Sequence, residues 1–303
     1  MFWQTSKHRI DLTQPLVMGI VNVTPDSFSD GGAYFRPGSP GGALAHCERL
    51  VRDGAGMLDI GGESSRPGAD PLPLNEEKAR VLPLLREALK LGLPISVDTY
   101  KPGLMQAALD MGADAINDIW ALRQPGAGAC LAAFPKAGVC LMHMHREPRS
   151  MQIEPMAESS IDDLLRKLQD FLRERVDALT ALGLAKERLV LDPGIGFGKT
   201  ALQNFGLLAR HGELQGLGLP LLAGWSRKSS LGHVTGLPAA ERLAPSLAAA
   251  VLALERGARI LRVHDVRETV QAVQVWQAMQ AADRGQAISA IPSGAAATGG
   301  TRT

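Results

Sequence analysis

The chain has 303 residues, 45% of them hydrophobic and 21% charged, which is enough apolar material for one large core or two ordinary ones and excludes a disordered tether. Thirty-two Lys and Arg against 31 Asp and Glu leave a formal charge of +1, which excludes the basic stripe that nucleic-acid binding relies on. The longest clean apolar runs, such as 247–254, fall far short of the roughly 18 to 20 residues of a membrane-spanning helix, so no membrane partner is expected.

The first residues, MFWQTSKHRI, lack the apolar core and small-residue cleavage site of a secretory leader. Cys47, Cys130 and Cys140 form an odd set with no C-x-x-C spacing, which argues against a disulfide framework and against a thiolate zinc site. A reducing cytoplasm is the expected compartment.

From residue 16 a short apolar, often β-branched run repeatedly ends in a Gly-rich or polar loop and gives way to a longer helical stretch. The runs fall at 16–21, 57–60, 95–97, 115–116, 139–142, 189–191, 221–223 and 260–263, eight in all. Helical spacing occupies segments such as 42–53, 76–91, 102–111, 161–182 and 239–256. Several close at a glycine (Gly54, Gly92, Gly183, Gly257), where a left-handed helix cap meets no Cβ. Eight buried parallel strands with helical crossovers fit a single-domain (β/α)8 TIM barrel over 1–284, although a doubly wound open sheet shares much of this pattern. From Gly285 the composition turns to small residues and glycine, and 285–303 is expected to be a disordered tail.

In such a barrel the C-terminal strand ends carry the site. Here they read Asn22, Glu63-Ser64-Ser65-Arg66, Asp98, Asn117-Asp118, His143, Asp192, Ser226-Arg227-Lys228 and Arg262-Val263-His264. Asp98, Asn117 and Asp192 come from three strands and offer carboxylate and amide acceptors suited to a flat, donor-rich heterocycle. Each alone could merely cap backbone groups, as Asp98-Thr99 before Lys101-Pro102 would; three converging are harder to explain that way. Arg66, Lys228 and Arg262 supply cations, with His264 on the same strand face as Arg262, and together they suit a phosphate or pyrophosphate. An Arg or Lys on a loop is by itself usually just solvated.

Other motifs carry less. PGIGFGKT at 193–200 looks like a phosphate-binding loop, but Pro193 stands where that pattern needs its first glycine and Lys199 where the dinucleotide pattern needs its third. It reads as a loop packed close to a ligand. His143 and His145 lack a third spaced ligand and read as structural. The cysteines read as small core hydrophobes, Cys140 above all.

The loops together resemble those of the dihydropteroate synthases: MGIVNVTPDSFSDGG at 18–32, DIGGESSRPGA at 59–69, SVDTYKP at 96–102, INDI at 116–119, LMHM at 141–144, LDPGIGFGKT at 191–200, GWSRKSSLG at 224–232 and RVHDV at 262–266. The resemblance spans about residues 16–280, in the expected order. It implies a barrel transferase, a sulfonamide target, that joins p-aminobenzoate to hydroxymethyl-dihydropterin pyrophosphate, forming dihydropteroate for folate synthesis. By motif, Asp98, Asn117 and Asp192 hold the pterin, Lys228 reaches it, and Phe197 and Met142 line its slot, with Gly224 beside them. Asn22, Arg262 and His264 hold the pyrophosphate, and Asn22 also holds Mg²⁺. Loops 24–32 and 63–68 close over the site, where Phe28, Ser65, Arg66, Pro67, Ser226 and Lys228 frame the p-aminobenzoate. Asp98, Lys228, Arg262, His264, Phe28 and Arg66 are the implied catalytic set, and a homodimer is the implied assembly.

Ser65 stands where many members have threonine, which keeps the hydroxyl and drops a methyl contact. Three rivals remain: an unrelated barrel enzyme acting on a sugar phosphate, which the carboxylates and amide on three strands disfavour, and two that use neighbouring chemistry, a corrinoid-linked pterin methyltransferase and a silent paralogue that only binds pterin. SSRPG, SRKS and RVHD favour a pyrophosphate leaving group over the methyltransferase, and the complete residue set disfavours the silent paralogue.

Overall fold

Two strands that the hydrophobic pattern does not announce come first. In the computed structural model, which describes residues 1–24, 41–64, 70–147, 150–151, 153–158 and 160–287, β1 (Phe2–Gln4) and β2 (Arg9–Asp11) pair antiparallel. At three residues each they are too short to show alternation. Trp3, wholly buried, donates its indole N–H to the Arg188 carbonyl at 2.9 Å and packs with Leu12 against Met18, Met57, Val190, Leu222 and Ile260. The hairpin thus plugs the end of the molecule opposite the polar strand ends.

The eight expected runs are all strands: β3 (Leu16–Asn22), β4 (Met57–Gly61), β5 (Ile95–Asp98), β6 (Ala115–Asp118), β7 (Gly138–Met142), β8 (Leu189–Asp192), β9 (Leu222–Ala223) and β10 (Ile260–Val263). They pair in parallel in the order β8-β7-β6-β5-β4-β3-β10-β9, and a parallel bridge between Leu191 and Leu221 joins β8 to β9. The sheet therefore closes into the barrel, and the open-sheet alternative falls. Asn22, Asp98 and Asp192 are the last residues of their strands, so backbone pairing fixes where their side chains start.

Helices α1 (Gly41–Arg52), α2 (Leu74–Ala88), α3 (Pro102–Met111), α4 (Ala127–Ala132), α5 (Ile161–Ala181), α6 (Ala201–Ala209), α7 (Ser229–Thr235), α8 (Leu243–Glu255) and α9 (Val266–Asp283) surround it. The expected helical segments match α1, α2, α3, α5 and α8 to within a few residues; at 239–241 a separate 3-10 turn precedes α8. The main apolar cluster lies between strands and helices, from Val17 and Leu58 to Leu168 and Leu254. Gly92 caps its helical stretch in the left-handed region, at φ +79°, as the sequence predicts. Cys47 and Cys140 are buried as core residues and Cys130 half-buried. The expected tail lies almost wholly outside the described residues; Gly285 and Gln286 still bond back to α9, each at 2.9 Å.

Candidate active site

Alternation along β4 turns Met57, Asp59 and Gly61 to one face, the face that β10 occupies with Ile260 and Arg262. Asp59 is therefore inside the barrel, wholly buried, and the Arg262 Nε donates to its Oδ2 at 2.6 Å. The Arg262 Nη2 donates to Asp98 Oδ2 at 2.7 Å, so one guanidinium joins carboxylates from two strands. Burial opposes the charge on Arg262, but Asp59 and Asp98 more than offset it and keep it protonated. Burial pushes the Asp98 carboxyl up, to about 7, against the pull of Arg262.

Asn117 on β6 donates its Nδ2 to the same Asp59 oxygen at 3.0 Å. That bond fixes the amide so that Oδ1 remains as acceptor, resolving the mixed donor and acceptor character expected of this residue into a single role. Asp192 accepts the Gly194 N–H on Oδ1 at 2.7 Å. A Cβ on Gly224 would sit 4.0 Å from Asp192 Oδ2, so the glycine leaves the approach to that oxygen clear. Burial raises the Asp192 carboxyl, opposed by the Gly194 amide and by Lys228, Lys199 and Arg262.

The Lys228 Nζ lies over the Phe197 ring, 4.3 Å from its centre. Burial lowers this ammonium to about 8. Phe197 also packs against the buried cluster of Ile119, Met142, Met144 and Met151, as Tyr100 and Trp120 do, an apolar wall beside the polar strand ends. Flat apolar surface next to in-turned acceptors is what an aromatic, donor-rich ring needs.

His264 differs from the expectation that grouped it with the cations. Burial, helped by Arg227 and Arg262, lowers it to about 3, so it faces a ligand as neutral imidazole. Its Nδ1 lies 2.9 Å from the Ser226 hydroxyl, and its backbone N–H donates to the same oxygen at 3.1 Å. Beside this tie, Arg227 pairs with Asp265 at 2.6 Å, so the loops after β9 and β10 are joined twice. Asn22 ends β3 opposite Gly61, half-buried at the same mouth.

The structure thus brings together Asn22, Asp98, Asn117, Met142, Asp192, Phe197, Gly224, Ser226, Lys228, Arg262 and His264. Phe28, Ser65, Arg66 and Pro67, with most of the two expected closing loops, lie outside the described residues. Asp59 is the residue that sequence reasoning missed. The only sequence trace of it is a carboxylate inside the apolar run 57–60, and the closed barrel is what puts that carboxylate on the inward face.

A closed parallel barrel whose mouth combines in-turned acceptors, an aromatic wall and buried cations defines an enzyme for a flat heterocycle carrying an anionic group. The sequence pattern of the pterin binding enzyme family matches residues 18–264. The dihydropteroate synthase of Neisseria meningitidis serogroup B is 46% identical over 282 residues, 91% of this chain and 97% of that protein. That of Escherichia coli K12 is 45% identical over 272 residues, 89% and 93%. The dihydropteroate synthase of Yersinia pestis, solved with a sulfonamide drug, superposes with a TM-score of 0.86 at 42% identity, covering 93% of this chain and 100% of that one. The Burkholderia cenocepacia enzyme, solved with 7,8-dihydropteroate, gives 0.83 at 46% identity, covering 94% and 98%. The chain belongs to the pterin binding enzymes and, within them, to the dihydropteroate synthases.

Proposed function

We infer that this barrel mouth condenses hydroxymethyl-dihydropterin pyrophosphate with p-aminobenzoate, releasing pyrophosphate and forming dihydropteroate for folate biosynthesis. The observation that carries the reading is the convergence of Asp98, Asn117 Oδ1 and Asp192 beside Phe197 and Lys228. The chain is accordingly a transferase that forms a C–N bond.

Asp192 and Asn117 take the ring's N–H donors, and charge-assisted bonds to the carboxylates make that edge the specific one. Phe197 and Met142 stack against the ring. Arg262, braced by Asp59 and Asp98, with Lys228 as the second cation and neutral His264 as a donor, meets the pyrophosphate. The methylene C–O bond breaks first, its electron pair leaving with pyrophosphate, and the positive charge spreads into the pterin ring, where the Asp98 carboxylate opposes it. The arylamine nitrogen then forms the C–N bond and gives up its proton, which is acidic only after that bond exists.

Mg²⁺ would be held by Asn22 together with pyrophosphate oxygens and water. The donor fits: Asn22 ends β3 half-buried at the mouth, and a single amide oxygen there suits an ion that arrives on phosphate and keeps its waters. When bound, it would neutralise charge on the leaving pyrophosphate. Phe28, Ser65, Arg66 and Pro67 are assigned to the p-aminobenzoate side by their motifs. No described helix is long and apolar enough to cross a membrane; a cytoplasmic homodimer is the assembly proposed.

The test is dihydropteroate formation by purified protein given both substrates and Mg²⁺. Product supports the reading; pterin binding without product would make the chain a silent paralogue, and the reading would fail.

A further inference from the structure

The PGIGFGKT segment is not a phosphate cradle, because its lysine points inward. Lys199 is 2% exposed, and its Nζ lies 2.9 Å from the Gly194 carbonyl, 3.2 Å from that of Phe197, 3.3 Å from that of His143 and 3.0 Å from His143 Nδ1. These are four acceptors for the three N–H bonds of an ammonium. The loop around it is tightly constrained. Gly194, Gly196 and Gly198 all have positive φ (+69°, +83°, +69°), and a Cβ on Gly194 would collide with the His143 carbonyl. Asn204 takes the Gly196 N–H at 3.0 Å and donates to the Lys199 carbonyl at 3.3 Å and to Ser230 at 2.9 Å. Gly194 joins the two charges directly: its carbonyl accepts from Lys199 and its N–H donates to Asp192 at 2.7 Å.

We propose that Lys199 is a positioning residue of the pterin site, acting through Gly194 to hold Asp192 ionised and correctly turned from behind, while Lys228 faces it from the ligand side. The proposal rests on the reading that Asp192 holds the pterin. It also explains why so buried a cation sits in a loop that grips no phosphate: an ammonium behind the carboxylate offsets the burial that would otherwise protonate it.

The groups facing the pair are few. Asp192 is faced by Lys228 from the N-terminal end of α7, Arg262 from β10, and Cys140 from β7, whose thiol burial keeps protonated. Lys199 is faced by His143, which burial and Lys199 itself hold well below its usual range, and by Lys228. Burial lowers Lys199 to about 7, with Asp192 opposing. Lys199 is therefore cationic on the acid side, where Asp192 would take up a proton, and turns neutral on the alkaline side, where Asp192 stays ionised without help. Its contribution is present below about pH 7 and fades above it.

The test is calorimetric titration with 6-hydroxymethylpterin, near pH 5.5 and near pH 8.5, of the wild type, Lys199→Met, Lys199→Gln and Asp192→Asn. Glutamine keeps N–H donors for the carbonyls but carries no charge. The expected result is affinity about three- to five-fold weaker than wild type for both Lys199 variants at the lower pH, which is what a rise of about one unit in the Asp192 pKa takes from a carboxylate still at least half ionised in the wild type, and affinity matching the wild type at the higher pH. Lys199→Gln matching the wild type at both pH values would make the donors, not the charge, the function, and overturn the proposal. A loss equal at both pH values, or failure of both variants to fold, would make Lys199 a structural cap and overturn it as well. Wild-type affinity in Asp192→Asn would instead overturn the reading of Asp192 on which the proposal stands.

Discussion

Arg262 Nε lies 2.6 Å from Oδ2 of Asp59, a carboxylate with no solvent exposure. The bond spans two adjacent-but-one strands of the barrel and sets the direction in which the rest of the guanidinium points. Without Asp59, Arg262 would keep Asp98 as a partner and its side chain is one-fifth exposed, whereas the buried Asn117 amide would lose its acceptor, at a cost of about 1–3 kcal/mol. Asp59→Ala should therefore lower unfolding stability by about that amount in urea titration and also reduce kcat, whereas a surface carboxylate change would do neither. Wild-type stability with wild-type kcat would remove Asp59 from the account.

Lys228 gives a pH prediction. Burial lowers its ammonium to about 8, so in the free enzyme the positive charge is present below that pH and lost above it. If the charge serves the anionic substrate, kcat/KM for the pterin substrate falls as pH rises from about 8, since this ratio reports the free enzyme. Lys228→Met should lower kcat/KM and abolish that alkaline limb. A limb unchanged in the variant would belong to another group.

Gly194→Ala tests the loop. The residue sits at φ +69° and a Cβ would strike the His143 carbonyl, so the substitution should cost more than the roughly 1–2 kcal/mol of a left-handed alanine alone. Thermal unfolding reads the loss, and pterin affinity should fall with it because Asp192 loses the Gly194 N–H in its present place. An alanine variant as stable as the wild type would contradict the close approach.

Trp3 offers a control at the opposite end. It is fully buried and bonded to the Arg188 carbonyl at 2.9 Å. Trp3→Ala should cost about 3–5 kcal/mol of stability in chemical denaturation while leaving KM for both substrates near wild type in the folded fraction. Changed KM values would mean that the hairpin communicates with the mouth.

How much of this was legible in the sequence follows from the length of each signal. The barrel strands were readable because each apolar run is bounded by glycine or a polar loop, and because Asn22, Asp98 and Asp192 break the runs at their ends. Asp59 was not, because it interrupts a run rather than ending one, and only the closed barrel shows that its face turns inward. The role of Lys199 was hidden for a similar reason: its four acceptors are mostly backbone carbonyls, which no residue type announces. His264 directly follows β10 at the barrel mouth, but its neutrality depends on burial and on Arg227 and Arg262 around it, which spacing alone does not give. The β1–β2 hairpin left no trace because three residues are too few for a period of two.

The central claim is that the mouth drives pyrophosphate off before the arylamine bonds. The most direct measurement is pyrophosphate release from hydroxymethyl-dihydropterin pyrophosphate and Mg²⁺, with and without p-aminobenzoate, with dihydropteroate followed in parallel. The account predicts pyrophosphate release without the arylamine, and matching dihydropteroate when it is present. Release strictly dependent on p-aminobenzoate, at a rate that climbs steeply with the nucleophilicity of the arylamine, would contradict it.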